Sequence, residues 1–306
     1  MKKVAISVGD LNGIGIQLIL ENHNKIKEYI KPIYCIDQNM LTQASRLLNT
    51  AIPQDILLKE NIAKSFKIQP GAVTKESGHY SFLSFKTAVS MAQKGEVDGI
   101  MTLPIHKKSW ELADIKYKGH TDALRDFFQM EAIMMLGSPK MYVALYTEHI
   151  PLHQVPSKIK NIPKLTQFLL NFYHSIKKEL KKDEEIALLG LNPHAGDDGV
   201  LGDEEKYIIQ AQLKANRELN KKVFTHPVVP DIAFTPKNRE KYRYFVAMYH
   251  DQGLAPLKAL YFDESINISL NLPIIRTSVD HGTAFDIAYT NSKLNNLSYI
   301  NALTYF

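Results

Sequence analysis

The sequence predicts an α/β protein with a mostly parallel sheet. Three observations carry that expectation. Short apolar runs rich in β-branched or aromatic residues alternate with longer segments of helical period. Residues with the chemistry of a site fall where the predicted strands end, their usual place in α/β folds. The 306 residues, 45% of them hydrophobic, are ample for a buried core.

The first strand is expected over Val4 to Val8. Met1-Lys2-Lys3 looks like the charged head of a signal peptide, but Asp10 and Asn12 interrupt the apolar stretch before it is long enough. Gly9-Asp10-Leu11-Asn12-Gly13-Ile14-Gly15 then leads into a helix. Its glycine spacing, G-x-x-x-G-x-G, departs from the dinucleotide fingerprint G-x-G-x-x-G, and no Walker lysine follows. A tight strand-to-helix turn that needs glycine is at least as good a reading as a phosphate loop.

Further strands are expected at Pro32 to Ile36, Gly99 to Leu103, Met141 to Tyr146, Ile186 to Leu191, Phe245 to Tyr249 and Ile266 to Leu270. Helices are expected at Phe82 to Lys94, Pro163 to Leu180 and Asp203 to Leu219. In the last of these Ile208, Ala211, Ala215 and Leu219 form the stripe of a helix packed on a sheet. With no internal repeat, low-complexity block or Ser/Gly linker, two interwoven α/β lobes are expected rather than two beads on a string. The approximate split is 1–125 plus 265–306 against 126–264.

Composition excludes several classes. The longest apolar runs, such as Ile14 to Leu20, carry polar residues like Gln17 and fall short of the roughly 20 residues of a spanning helix, so no membrane segment is expected. Cys35 is the single cysteine, which rules out an intrachain disulfide or a cysteine zinc cluster and fits a reducing cytoplasm. The formal charge is +5, but the lysines are scattered. The densest run, Lys177 to Lys182, precedes Asp183-Glu184-Glu185 and reads as a solvated helix face, not a nucleic-acid patch. A modest positive excess suits a small anionic substrate.

Three histidines stand at predicted strand ends: His149 before Ile150-Pro151-Leu152, His194 in Asn192-Pro193-His194-Ala195-Gly196, and His250 in Tyr249-His250-Asp251-Gln252-Gly253. Imidazole suits zinc and other divalent metals, and three ligands leave a position open for substrate; hydrogen-bonded structural histidines are the alternative. Asp251 is either a partner or further ligand beside His250, or the cap of a helix entering Gly253 to Leu260. Lys258, Asn267 and Arg276 supply a point charge, an amide and a forked guanidinium, a set suited to phosphate or carboxylate. Gly119-His120-Thr121-Asp122 looks like a loop opening a helix, where hydroxyl and backbone donors hold an anion or Thr121 serves as N-cap. Asp280-His281-Gly282-Thr283 is a glycine-punctuated polar loop.

Together these segments resemble the 4-hydroxythreonine-4-phosphate dehydrogenase (PdxA) family of vitamin B6 synthesis. The matching pieces are Gly9-Asp10 with Gly13-Ile14-Gly15, Thr102-Leu103-Pro104 with Lys107, Gly119-His120-Thr121, Thr147 with His149 to Leu152, Asn192 to Gly196, Met248 to Gly253, and Pro273 through Ala284. They occur in family order and span essentially the whole chain.

The resemblance implies a two-lobed fold like that of isocitrate and isopropylmalate dehydrogenases, with a central cleft, and a homodimer whose subunits share their active sites. It implies that His149, His194 and His250 bind one divalent metal (zinc, magnesium or cobalt) with ligands from both subunits. Substrate contacts fall on His120, Thr121, Lys258, Asn267 and Arg276. NAD or NADP is expected near Asp280, His281, Gly282 and Thr283, in the lobe built from 1–125 and 265–306. The other lobe would serve the dimer and the metal. The implied reaction oxidises the C3 hydroxyl of 4-phosphooxy-L-threonine and releases carbon dioxide to give 3-amino-2-oxopropyl phosphate. Lys258, Asp251 or a metal-linked water takes the hydroxyl proton.

Three departures from the family pattern stand out. Leu11-Asn12 replaces Pro-Ala, His106 replaces an Asn, and Tyr289-Thr290-Asn291 replaces a segment with glycines at its first and third positions. The last bears on cofactor affinity and on the choice between NAD and NADP. Two rival activities follow: a dehydrogenase of a phosphorylated sugar acid (4-phosphothreonate or 4-phosphoerythronate), or a metal-containing binding protein that has lost hydride transfer.

Overall fold

The computed structural model describes residues 1–290 and 292–306; Asn291, part of the departure just noted, lies outside the described residues. The chain divides into two compact units, the first comprising Met1–Met130 and Ile266–Phe306, the second Glu131–Ser265.

Unit 1 begins with β1 (Lys3–Ser7), α1 (Gly15–Ile26), β2 (Lys31–Cys35), α2 (Gln38–Leu48), α3 (Lys75–Gln93), β3 (Gly99–Thr102), α4 (Lys107–Leu112) and α5 (His120–Phe128). Unit 2 holds β4 (Ile133–Ser138), β5 (Met141–Leu145), α6 (Val155–Ile159), α7 (Ile162–Ile176), β6 (Ala187–Leu188), α8 (Glu205–Glu218), α9 (Pro236–Lys241), β7 (Tyr244–Ala247) and α10 (His250–Tyr261). The chain then returns to unit 1 for β8 (Ile266–Leu270), β9 (Ile275–Val279) and α11 (Leu297–Thr304).

In unit 1 the strands run in the order β2-β1-β3-β9-β8. The pairs β1–β2, β1–β3 and β3–β9 are parallel, and β8–β9 is antiparallel. Val4, Ala5, Ile6 and Ser7 are all buried, as a parallel strand covered on both faces requires. Helix α3 starts at Lys75, earlier than the expected Phe82, because the Thr74 hydroxyl caps it by accepting from the Ser77 amide at 3.2 Å. Gly78 inside it masks that start in the sequence.

Unit 2 pairs β4 with β5 antiparallel, and β5–β7 and β6–β7 parallel. Its core gathers Met134, Leu136, Val143, Leu145, Phe245, Leu254 and Leu257. The expected strand Ile186 to Leu191 shrinks to Ala187–Leu188, flanked by single bridges from Ile186 to Phe224 and from Leu189 to Val228. The run Lys177 to Lys182 is not on a helix face, because α7 ends at Ile176; it forms exposed turns. Among the described residues, no helix is long and apolar enough to cross a membrane.

Helix α10 lies close on β5 and β7 because Gly253 has no side chain. A Cβ there would sit 2.5 Å from Val143 Cγ1 and 3.0 Å from Ala247 Cβ, both buried. On an exposed helix Gly→Ala would be stabilising by up to about 1 kcal/mol. Here overpacking wins, and Gly253→Ala is expected to destabilise by about 1–3 kcal/mol in denaturant unfolding. An unchanged or raised midpoint would show that α10 packs more loosely than this.

Candidate functional site

An anion site follows from strand register in unit 1. Thr102 on β3 pairs with Ser278 on β9, and Ser278 with Asn267 on β8; one step along, Arg276 pairs with Ser269. Because side chains alternate across a strand, Thr102, Arg276, Ser278, Ser269 and Asn267 share one face. Arg276, only 3% exposed, donates from Nε and Nη2 to Thr102 Oγ1 at 3.0 and 2.7 Å and from Nη1 to Ser269 Oγ at 3.3 Å. Its Nη2 also lies 3.4 Å from His120 Nδ1.

None of these partners is a carboxylate. Burial pulls the guanidinium down to about 9, so it still carries its charge at neutral pH. His120 packs edge-on to Phe85 and Trp110, and burial, then the Arg276 charge, holds its imidazole well below the usual histidine range. His120 Nε2 and Asn267 Oδ1 are both buried without a partner. A buried cation lacking a counter-charge, beside two unfilled polar groups, is what an anion would complete.

Helix α5 opens at His120, with Gly119 as its N-cap residue and no side-chain cap. Thr121 is therefore not the N-cap; it lies in the first turn, where the backbone amides are free of helical partners. Lys258 belongs to unit 2, on the last turn of α10, half-buried with Nζ 5.3 Å from the Phe262 ring centre.

The loop after β9 is fastened to the first glycine loop. Ile14 N donates to Thr283 O at 3.1 Å, and a Cβ on Gly13 would meet that same oxygen at 2.7 Å. Asp10 is buried inside the turn, accepting from Asn12 N and Ser77 Oγ, and burial raises its carboxyl above the usual range. The Gly9 to Gly15 segment is thus a self-fastened strand-to-helix turn. Gly282 has open space where a side chain would project, and His281 Nε2 is buried without a partner. Both features suit a loop that receives a ligand.

The departures from the family pattern meet on this turn. Asn12 donates to Ala72 O and Thr74 Oγ1 and accepts from Gln69 N. His106 stacks on Phe285 with ring centres 4.9 Å apart. Tyr289 adopts φ +61, the left-handed conformation that favours glycine, and its hydroxyl donates to Leu11 O at 2.7 Å.

In unit 2, β5 and β7 are neighbouring parallel strands, so the residues following them come together. Thr147 Oγ1 donates to Met248 O at 2.7 Å, and the rings of His149 and His250 lie 5.5 Å apart. His250 opens α10, whose N-cap is Tyr249; Asp251 is therefore not the cap. Instead Asp251 Oδ1 lies 2.7 Å from His250 Nδ1, an arrangement that orients the ring and leaves Nε2 for a ligand.

His194 is exposed, on a loop lining a cleft with Leu191, Pro193, Tyr249 and Gln252. Among the described residues of one chain, no group of three or more His, Cys, Asp or Glu side chains is gathered to hold a metal. The donor chemistry of His149 and His250 nonetheless fits a divalent ion that takes a further ligand from elsewhere. Sequence reasoning quoted Thr102 and Gln252 within motifs without giving them a role, and passed over Ser269. The roles of Thr102 and Ser269 are visible only once the strand register aligns them with Arg276.

A family model described as pyridoxal phosphate biosynthetic protein PdxA matches residues 28–306. A relative from Sulfurimonas denitrificans, named 4-hydroxythreonine-4-phosphate dehydrogenase, is 56% identical over 301 residues, covering 98% of this chain and 95% of that protein. The crystal structure of a 4-hydroxythreonine-4-phosphate dehydrogenase from Klebsiella pneumoniae superposes with a TM-score of 0.85 at 31% identity, covering 100% of this chain and 99% of that one. A beta-decarboxylating dehydrogenase from Thermococcus kodakarensis reaches a TM-score of 0.50 at 10% identity, covering 97% of this chain and 80% of that one, a likeness of fold alone.

Proposed function

This chain belongs to the PdxA family of pyridoxal phosphate biosynthetic proteins, and from that premise we propose how its residues carry out the reaction of a 4-hydroxythreonine-4-phosphate dehydrogenase. It is an oxidoreductase of vitamin B6 biosynthesis that uses a nicotinamide cofactor and a metal. The secondary alcohol of 4-phosphooxy-L-threonine is oxidised at C3: the hydride leaves carbon C3 for NAD or NADP, and the hydroxyl proton goes to the protein or solvent. The resulting β-keto acid loses carbon dioxide and leaves 3-amino-2-oxopropyl phosphate.

One observation carries the assignment of the substrate grip: Arg276 is a buried cation with no carboxylate partner, beside the unfilled polar atoms of His120 and Asn267. Arg276, His120, Asn267 and the first-turn amide of Thr121 receive the phosphate; a substrate contact of Lys258 rests on the family resemblance alone. Holding the anionic end removes rotational freedom that the reacting carbon would otherwise retain. His149, His194 and His250 hold one divalent ion, whether zinc, magnesium or cobalt. When bound, such an ion favours hydroxyl deprotonation and polarises the carbonyl that forms. Asp251 keeps His250 in the tautomer and orientation that ligation requires, and Lys258 or Asp251 takes the proton.

Asp280, His281, Gly282 and Thr283 contact the nicotinamide dinucleotide, which makes unit 1 the cofactor side and unit 2 the metal side. Tyr289 turns its hydroxyl toward Leu11 O, which supports retention of the cofactor despite its bulk. The active form is a cytoplasmic homodimer in which His194 serves the partner's site. The exposure of His194, of Val200 at 79% and of Leu152 at 63% supports such a partner.

The test is a panel of initial rates with NAD and NADP. We expect reduced nicotinamide with phosphohydroxythreonine and at least about a hundredfold lower kcat/KM with its dephosphorylated form, because a buried guanidinium is then left unpaired. Turnover of 4-phosphothreonate or 4-phosphoerythronate alone would move the assignment to a sugar-acid dehydrogenase. Substrate binding with no nicotinamide binding in calorimetry would make the chain a binding protein.

A further inference from the structure

Glu205 is a buried carboxylate that the reaction as described does not use. It is 6% exposed at the start of α8, and its acceptors face the loop that carries His194. Oε1 accepts from Leu191 N and Asn192 N, both at 2.7 Å, and Oε2 accepts from Asn192 Nδ2 at 2.9 Å. The same Asn192 amide donates to Glu204 Oε2 at 2.9 Å. Oε2 also lies against Gly196, where a Cβ would approach it to 2.7 Å.

The loop needs that support. His194, Ala195, Asp197 and Asp198 have φ of 52, 53, 44 and 51°, with Gly196 at 86° between them. Left-handed backbone costs roughly 1–2 kcal/mol per non-glycine residue, so a run of this kind persists only where its surroundings impose it. On the opposite side Gln252 donates to Gly190 O at 2.6 Å and accepts from Met248 N at 2.7 Å. The segment entering the loop is therefore clamped between α8 and the helix that bears His250.

We propose that Glu205 is a positioning residue for His194: its carboxylate holds the two amides and the carboxamide that lead into the left-handed turn and so fixes the direction in which the imidazole is presented. The proposal rests on the reading of His194 as a metal ligand, and its test has two arms that fail separately.

In the first arm, amide hydrogen exchange over residues 191–202 is compared between the parent and Glu205→Ala in metal-free protein. Opening of the clamp should speed exchange of the Leu191 and Asn192 amides by at least about tenfold. Unchanged exchange overturns the proposal whatever the protein does with metals.

In the second arm, zinc and cobalt are titrated calorimetrically into the metal-free dimer. Glu205→Ala should bind about 10- to 100-fold more weakly, as loss of a support behind a ligand does. Glu205→Gln, which restores an acceptor for the two backbone amides, should recover most of the affinity. Full affinity in a Glu205→Ala variant whose loop has opened would make the carboxylate structural only and overturn the proposal. A parent that binds neither metal, with exchange nonetheless accelerated in the variant, would overturn the metal assignment and leave Glu205 as the anchor of the loop. If Glu205→Ala does not fold, Glu205→Asp, which withdraws the carboxylate by one methylene, takes its place in both arms.

Discussion

Arg276→Met is expected to lower kcat/KM for the phosphorylated substrate by about a thousandfold while leaving the unliganded protein at least as stable as before. The two halves of this result have one cause. Unliganded Arg276 is a buried charge held by hydroxyls and a neutral imidazole, an arrangement that replacement by an apolar side chain of similar length relieves. On the proposed reading, the same charge meets the substrate phosphate out of water, where losing one partner of a hydrogen-bonded charge pair costs about 2–5 kcal/mol. Inorganic phosphate should therefore raise the melting temperature of the parent and not of the variant.

The pH dependence has a definite sign. Burial brings Arg276 down to about 9, so phosphate stabilisation persists through neutral pH and fades above about 9 as the guanidinium loses its proton. His120 is depressed below its unfolded value. As pH falls below about 6.5 the unfolded chain takes up a proton that the folded, unliganded protein refuses, so stability declines on acidification. Melting curves with and without phosphate between pH 5 and pH 10, ranges chosen to bracket about 6.5 and about 9, check both.

Single replacement of His194 or His250 by alanine should abolish most metal binding and turnover, and mixing the two inactive proteins should restore part of both. If His149 and His250 come from one subunit and His194 from its partner, a hybrid dimer of His194→Ala and His250→Ala subunits has one intact site and one doubly damaged site. Random exchange of equal amounts makes about half the dimers hybrid, so activity should return to about one quarter of the parent's. One observation favours placing two of the ligands in the same subunit: the rings of His149 and His250 lie 5.5 Å apart. No recovery after demonstrated subunit exchange would place all the ligands in one chain.

Much of the fold was legible because β-branched and apolar runs announce buried strands. Ile266–Leu270 was located from that signal alone. Strand β9 was missed because its sequence, Ile-Arg-Thr-Ser-Val, places a cation and two hydroxyls on an interior strand for a reason that lies outside the strand. Strand β4 was missed because Ile-Met-Met-Leu-Gly-Ser has little β-branching and includes a glycine.

At the site, the chemistry of His120 and Arg276 could be read from residue type and family pattern, but their meeting across 156 positions could not. The role of Thr102 depends on register, and that of Glu205 on the shape of a loop whose left-handed run no local propensity would suggest. Tyr289 illustrates the same limit: the sequence shows a glycine replaced, and only the structure shows the tyrosine taking up the left-handed backbone and bonding to Leu11 O.

The most direct test is a stoichiometric assay of the metal-loaded protein with 4-phosphooxy-L-threonine and NAD or NADP, following reduced nicotinamide and carbon dioxide together. The prediction is that the two products accumulate one for one, that chelation abolishes both, and that zinc, magnesium or cobalt restores both. Absence of reduced nicotinamide with either cofactor and all three metals would contradict the account.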